Sequence, residues 1–326
     1  MNIFLTGATG FIGRNLALRL AGDGHRVVCL VRDPARAAWM KAFPALEPVP
    51  GDLMDDRVLR SCVAGTDLVI HLAACTSAVS KEAYFEINGR ATGRLASLLA
   101  ASGPRDSKMI FLSSLSVAGP HTSASPAVEE EAPRPVSTYG ESKLLGEHLL
   151  QRNCGSRPWT VLRAPVVYGP YDRDVLFLFR LARRGILLRI RGVETETSLV
   201  HVDDLVEAVL LAARSGKTDG KVYYVSDGRT YTRDGIHAAF RNVTGRGIVV
   251  ALSPAIMKGL GFLNDQAARL SGKPALLNSD RVKESIQPGW VCRSERIRED
   301  LEFTPGIFME EGFRTTYDWY RDQGWI

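Results

Sequence analysis

Apolar residues recur along the first half of the chain in two alternating rhythms. Short apolar runs at Asn2–Thr6, Arg26–Val31, Leu46–Val49, Asp67–Leu72, Met109–Ser113 and Thr160–Ala164 read as strands. Leu68-Val69-Ile70 and Met109-Ile110-Phe111-Leu112 show no polar alternation, which suits strands buried on both faces of a parallel sheet. Between them, Phe11–Gly22, Pro34–Phe43, Asp55–Ala64, Lys81–Ala101 and Tyr139–Asn153 read as helices. The repeated β-α-β order predicts an α/β fold with a doubly wound parallel sheet flanked by helices. Ligands of such sheets bind at the carboxyl ends of the strands.

After about Val166 the rhythm loosens and Pro and Gly become frequent. Helices are expected at Val175–Arg184, Asp203–Arg214, Asp234–Thr244, Pro254–Leu270 and Met309–Arg321, with a short strand at Lys221–Val225. The division expected is a cofactor domain over 1–165 and a smaller, mostly helical substrate lobe over 166–326. Residues 199–226 are expected to return to the sheet, and Gly119–Val136 to form a surface loop.

Composition adds exclusions. The 326 residues are 45% hydrophobic, too apolar for a wholly disordered chain. Lys plus Arg number 41 against 36 acids, a net charge of only +5 with no basic block, so no nucleic-acid partner is expected. Five widely spaced cysteines without a C-x-x-C pair point to neither a disulfide framework nor a metal site. With Met1 leading straight into a strand and no run of membrane-spanning length, the expected location is the cytoplasm.

Thr6-Gly7-Ala8-Thr9-Gly10-Phe11-Ile12-Gly13 joins the first strand to the first helix. Gly7 suits a tight turn, Gly10 close approach of a pyrophosphate to the backbone, and Gly13 close helix–strand packing. The helix N-terminus adds free N–H groups for phosphate. At the tip of the second strand Val31 stands where an acid would bind a ribose 2′-hydroxyl, and Arg32 follows. An arginine there suits a 2′-phosphate, so NADP(H) is expected in preference to NAD(H). Asp52, before Leu53, is placed to accept from the adenine amino group. Leu72, Ala73 and Ala74 close the fourth strand with small or apolar side chains that leave room for the cofactor.

Tyr139 and Lys143 lie four apart at a helix start, on one face. A phenol titrates near 10, so it needs a neighbouring positive charge to act as a base near neutrality, and Lys143 is the expected source. Ser114, at the end of the fifth strand, is expected to hold the substrate oxygen.

These pieces together resemble the extended short-chain dehydrogenases/reductases. The matching segments are Thr6–Gly13, Gly51-Asp52-Leu53, His71–Ala74, Ile87-Asn88-Gly89, Leu112–Ser114, Tyr139–Lys143, Leu162-Arg163-Ala164-Pro165 through Tyr168-Gly169-Pro170, and His201–Leu205. The resemblance implies a Rossmann sheet, with Tyr139 as acid/base, Lys143 on the nicotinamide ribose, Ser114 on the carbonyl and Asn88 in support. It also implies cofactor contacts from Thr9, Phe11, Ile12, Leu53, Pro165 and Val167, a mainly structural role for His201 and Asp203, and a homodimer through Lys81–Ala101 and Tyr139–Asn153.

Dehydratases of this family carry an acidic pair just after the catalytic Ser/Thr, whereas this chain has Leu115-Ser116-Val117. Sugar-nucleotide epimerases place a diphosphate-gripping Arg where Thr197 stands, with Glu194 and Glu196 nearby. The segment Tyr171–Phe179 is expected to face the cleft. Pro254–Leu277, with Ile256, Met257, Leu260, Phe262, Leu263 and Leu270, is expected to pack, to line a greasy pocket, or to meet a membrane surface. The expected reaction is hydride transfer to or from the carbinol or ketone carbon of an apolar substrate. A sterol, steroid or related lipid is the favoured class, as in 3β-hydroxysteroid dehydrogenase-like and dihydroflavonol-reductase-like enzymes, with decarboxylation as an extension. The alternatives are a sugar-nucleotide epimerase with tightly bound NAD and a non-enzymatic NADP(H) sensor.

Overall fold

The computed structural model describes residues 1–326. Its first half runs β1 (Asn2–Thr6), α1 (Phe11–Gly22), β2 (Arg26–Val31), β3 (Leu46–Pro50), α2 (Asp56–Val63), β4 (Leu68–His71), α3 (Lys81–Tyr84), α4 (Ala91–Ser102), β5 (Lys108–Ser114), α5 (Thr138–Asn153) and β6 (Trp159–Ala164). The second half runs β7 (Val166–Tyr168), α6 (Leu176–Arg183), β8 (Ile186–Ile190), β9 (Glu196–His201), α7 (Val202–Arg214), β10 (Lys221–Tyr224), β11 (Thr230–Thr232), α8 (Arg233–Thr244), β12 (Ile248–Leu252), α9 (Pro254–Ser271), α10 (Ser279–Ser285), β13 (Gly289–Trp290), α11 (Glu295–Leu301) and α12 (Met309–Asp322).

Seven strands form one sheet in the order β10-β6-β5-β4-β1-β2-β3, and every pairing in it is parallel. The apolar runs are buried on both sides, as their lack of alternation requires. Ile3, Leu5, Ile70 and Ile110 pack with Leu16 and Leu20 of α1 and Leu205 and Val209 of α7. Phe4, Val69 and Phe111 point the other way, onto Leu59 of α2 and Leu95 and Leu99 of α4. Pro48 and Pro50 cannot donate to a ladder, and their strand lies at the sheet edge. Strand order reverses between β1 and β4, which opens a crevice at their carboxyl ends.

The structure departs from the sequence reading in several places. Pro34–Ala42 is a 3-10 helix, and the expected helix over Lys81–Ala101 is interrupted by a π-helical turn at Phe85–Arg90. The second half is mostly helical, as expected, but it also carries strands the sequence reading did not place. β11, β9, β13 and β7 form a separate sheet, and β12 pairs with β8. Leu199–His201 therefore belongs to the small sheet, whereas β10 hydrogen-bonds to β6 in the large one. Ile297 and Phe303 also pack into the core of the large sheet, so the chain returns there a second time. Leu176 and Phe179 do not face a cleft. They are buried with Phe240, Phe313 and Tyr320 in an aromatic core of their own, and of the run's large hydrophobic side chains only Phe177 is exposed.

Candidate active site at the carboxyl ends of the strands

The turn after β1 is shaped by contacts no side chain could share. Gly7 has φ +81°, and a Cβ on it would lie 2.7 Å from the Ala73 backbone nitrogen. A Cβ on Gly13 would lie 2.1 Å from the Gly7 carbonyl oxygen. The N-terminus of α1 has no side-chain cap, so its first N–H groups are free for an anion. Thr9 and Gly10 lie at this turn, while Phe11 and Ile12 lean on the sheet core and support it. These features fit a dinucleotide pyrophosphate.

Around that turn the remaining cofactor candidates are spread along the strand tips. Arg32 is exposed, and Arg36, which the sequence reading missed, reaches back to the Thr9 carbonyl at 3.4 Å. Asp52 accepts from the Met54 N–H at 2.9 Å through Oδ1. Leu53 and Leu72 are half-buried against the sheet cores, while Ala73 and Ala74 continue toward solvent. Pro165 is half-buried and Val167 packs on the sheet core, which leaves Val166 as the exposed side chain of that strand.

A buried chain of hydrogen bonds connects this end to the helix α5. The Ala73 N–H donates to Thr6 Oγ1 at 3.2 Å, and that hydroxyl lies 2.7 Å from His71 Nδ1. His71 Nε2 lies 3.0 Å from Thr92 Oγ1, which donates to the Asn88 carbonyl at 2.8 Å. The directions close only if His71 is neutral with its proton on Nε2. Burial, with Lys143 adding to it, lowers the imidazole to about 3, in keeping with that state.

Asn88 sits within the π-helical turn, a feature found often at functional sites. Its Nδ2 donates to the Cys75 carbonyl at 3.0 Å and to Ser142 Oγ at 2.9 Å, and its Oδ1 accepts from the Cys75 N–H at 2.7 Å. Asn88 thus ties the loop after β4 to α5. Ser142 completes the tie by donating to the Tyr139 carbonyl at 2.7 Å.

Tyr139 is half-buried, with Tyr84 edge-on at 6.4 Å between ring centroids. Its phenol is raised well above the usual value, chiefly by burial and next by the charge of Glu284, while a hydrogen bond with Ser114 works in the opposite direction. Lys143 Nζ donates to the Leu112 carbonyl at 2.6 Å and lies 4.0 Å from the Phe111 ring centroid. The phenol is therefore protonated near neutrality, as a proton donor must be.

Lys143 is fully buried, and burial lowers its amine to about 7, with Glu147 opposing the shift. The unfolded chain then binds more protons between about pH 7 and the free amine value of 10.5, so this group adds stability as pH rises through that window. Lys143→Met removes the dependence. The variant is expected to melt about 2–4 °C above the wild type near pH 6, with the gap closing toward pH 10. A wild type whose melting temperature relative to the variant does not rise over this range contradicts the assignment.

Sequence reading missed the clamp on α5. Asp280 of α10 accepts from the Thr138 and Tyr139 N–H groups at 2.8 and 2.9 Å, a distant carboxylate on a helix N-terminus. Glu284 accepts from Ser137 Oγ at 2.6 Å, and Ser137 accepts from the Gly140 N–H at 3.0 Å. No local motif marks this pair, because it lies about 140 residues from its partners. Glu147 was missed too, although its spacing four residues after Lys143 places it on the same helix face.

A parallel sheet with a free helix N-terminus at its crevice, beside a Ser/Tyr/Lys group, defines a dinucleotide-dependent oxidoreductase of the extended short-chain type. Residues 3–226 match the NAD dependent epimerase/dehydratase family, and the chain belongs to that family. A ceramide reductase from Caulobacter vibrioides is 29% identical over 99% of this chain and 96% of its own length. A 4-hydroxy-2-methyl-3-oxo-4-farnesyl-3,4-dihydroquinoline-1-oxide ketoreductase from Stigmatella aurantiaca is 33% identical over 70% of this chain and 69% of its own. A decarboxylating sterol-4-alpha-carboxylate 3-dehydrogenase from Dictyostelium discoideum is 27% identical over 70% and 72%. Among solved structures, MoeE5 in complex with UDP-glucose and NAD matches with a TM-score of 0.78 and 25% identity over 99% of both chains. No helix of this chain is long and apolar enough to cross a membrane.

Proposed function

We propose that the protein reduces the ketone of an apolar lipid, or oxidises the matching alcohol, with NADP(H). The observation that carries this reading is the placement of Tyr139 and Lys143 on α5 beside Ser114 at the carboxyl end of the sheet. The nicotinamide supplies or accepts hydride when bound. Tyr139 gives the substrate oxygen its proton in reduction and removes it in oxidation, Ser114 donates a hydrogen bond to that oxygen, and Lys143 holds the nicotinamide ribose. Asn88 fixes the geometry of α5 rather than touching the reacting atoms. The turn of Gly7, Thr9, Gly10 and Gly13, with Phe11 and Ile12 behind it, would hold the pyrophosphate, and Asp52, Leu53, Leu72, Ala73, Ala74, Pro165 and Val167 would line the rest of the cofactor path.

The lipid class is supported by the reductase and sterol dehydrogenase relatives and by the absence of a diphosphate clamp. Glu196 is locked by the Ser123 N–H and hydroxyl, each at 2.7 Å, and Thr197 is buried, so neither offers a cation to a diphosphate. Sterols and steroids stay within this class, beside the ceramide-like lipids that the ceramide reductase relative brings in. The proposal includes a reducing, cytoplasmic setting, in which five unpaired cysteines are stable, and a homodimer through residues 81–101 and 139–153, where Leu144, Leu145 and Leu149 are half-buried.

NADPH oxidation screened over lipid ketones, with UDP-sugars as controls, tests the reading. A second reading, an epimerase with tightly held NAD, draws on the MoeE5 likeness. It predicts stoichiometric NAD in the purified protein and no net cofactor oxidation. Arg32→Ala addresses the cofactor. Losing a charge-assisted pair with the 2′-phosphate is expected to lower the NADPH-over-NADH ratio of kcat/KM by about 10- to 100-fold. An unchanged ratio would move the preference to Arg36 or abolish it.

A further inference from the structure

The helix α9 presents an apolar stripe that the fold leaves uncovered. Ile256, Leu260, Leu263, Ala267 and Leu270 recur at i, i+4, i+7, i+11 and i+14, which places them along one face. Leu263 is 63% exposed and Leu270 90%, and Phe262 on the flank is 57% exposed. The opposite face is fixed to the protein. Gly261 and Ala268 are buried, and a Cβ on Gly261 would lie 3.0 Å from Val282 Cγ2 of α10.

The exposed charges of α9 are of one sign, and Lys258 and Arg269 lie on the Phe262 flank of the helix rather than within the stripe. Lys258, Arg269 and Lys273 are exposed and form no ion pair. Asp265, the one acid between residues 246 and 277, accepts from the Ser279 N–H inside the hairpin. A second copy is a poor partner for this face, because an isologous contact brings the same cations together. An anionic lipid surface satisfies both the stripe and the cations.

We propose that α9 docks the protein on an anionic lipid bilayer. The docked helix packs on α10, and α10 holds the N-terminus of α5 through Asp280, so the membrane contact lies one helix away from Tyr139. The consequence for catalysis rests on the lipid-ketone reading: an insoluble substrate reaches the cleft from the bilayer rather than from water.

Co-sedimentation of the full chain with vesicles tests the proposal. Vesicles of phosphatidylcholine with about 30 mol% phosphatidylglycerol are compared with phosphatidylcholine alone. The wild type is expected to pellet with the anionic vesicles, less so as salt is raised. Leu263→Ser with Leu270→Ser is expected to weaken binding at least about tenfold, since each leucine removed from the interface forfeits its transfer free energy. Lys258→Glu with Arg269→Glu is expected to lower it by a similar factor and to flatten the salt dependence. If the serine pair unfolds the helix by circular dichroism, the glutamate pair decides. The proposal is overturned if the wild type stays in the supernatant, if the folded variants pellet like the wild type, or if the serine pair splits a dimer. Reduction of a short, water-soluble ketone, measured in parallel, is expected to survive in both variants. Binding without ketone reduction overturns the lipid-ketone reading alone, and ketone reduction without binding overturns the docking alone.

Discussion

Tyr139→Phe is expected to lower turnover by about 10²- to 10⁴-fold, the range a positioned general acid contributes. The ring is retained, so the edge-on contact with Tyr84 and the Asp280 clamp on the Tyr139 N–H persist. What disappears is the proton. Burial holds the phenol protonated at neutral pH. Cofactor affinity, followed by quenching of protein fluorescence, is expected to change by less than about threefold, because the phosphate turn lies on another element. Turnover within tenfold of the wild type would remove Tyr139 from the acid/base role.

The second large effect is on stability. Glu147 and Arg163 are an ion pair almost wholly out of water, with side-chain exposures of 2% and 5%. The contact is bidentate: Arg163 Nε and Nη2 donate to the two carboxylate oxygens at 3.0 and 2.7 Å. Ser113 donates to the same carboxylate, and Arg163 Nη1 donates to the Tyr224 hydroxyl at 3.0 Å. Glu147→Ala leaves a guanidinium buried without its counter-charge, a loss of about 3–5 kcal/mol. In a chain of this size that corresponds to a fall in Tm of roughly 6–15 °C. Glu147→Ala combined with Arg163→Met is expected to recover much of it, because the uncompensated charge goes too. A single variant that melts within 2 °C of the wild type, on the order of scatter for a surface change, contradicts this account.

The fold was legible where local pattern and tertiary role coincide. Strands such as Met109–Leu112 are buried on both faces, so their composition alone announces a parallel sheet. The turn from Gly7 to Gly13 was legible because backbone meets backbone there, and only glycine allows it. The small strands of the second half, such as Val166–Tyr168 and Gly289–Trp290, were not legible. They are too short to show a period, and their partners lie far along the chain. The run Val175–Phe179 misled for a related reason: an apolar residue facing a cleft and one facing an aromatic core look alike in sequence.

The site divides in the same way. Tyr139, Lys143, Ser114 and Asn88 stand in motifs, whereas Glu147 is a lone charge on a helix and Asp280 and Glu284 belong to a segment with no pattern of its own. The direction of the Tyr139 shift was also beyond the sequence, since it depends chiefly on how deeply the phenol is buried and next on a carboxylate contributed from α10.

That last contribution bears on the order in which the protein is made. All seven strands of the large sheet have been synthesised by Tyr224, yet the carboxylate that caps α5 is at residue 280. A nascent chain that has assembled its sheet still carries two unpaired N–H groups beside its phenol, and the crevice stays loosely held until the hairpin of α9 and α10 has emerged. Competence therefore arrives late in synthesis, with the same segment that carries the exposed apolar stripe.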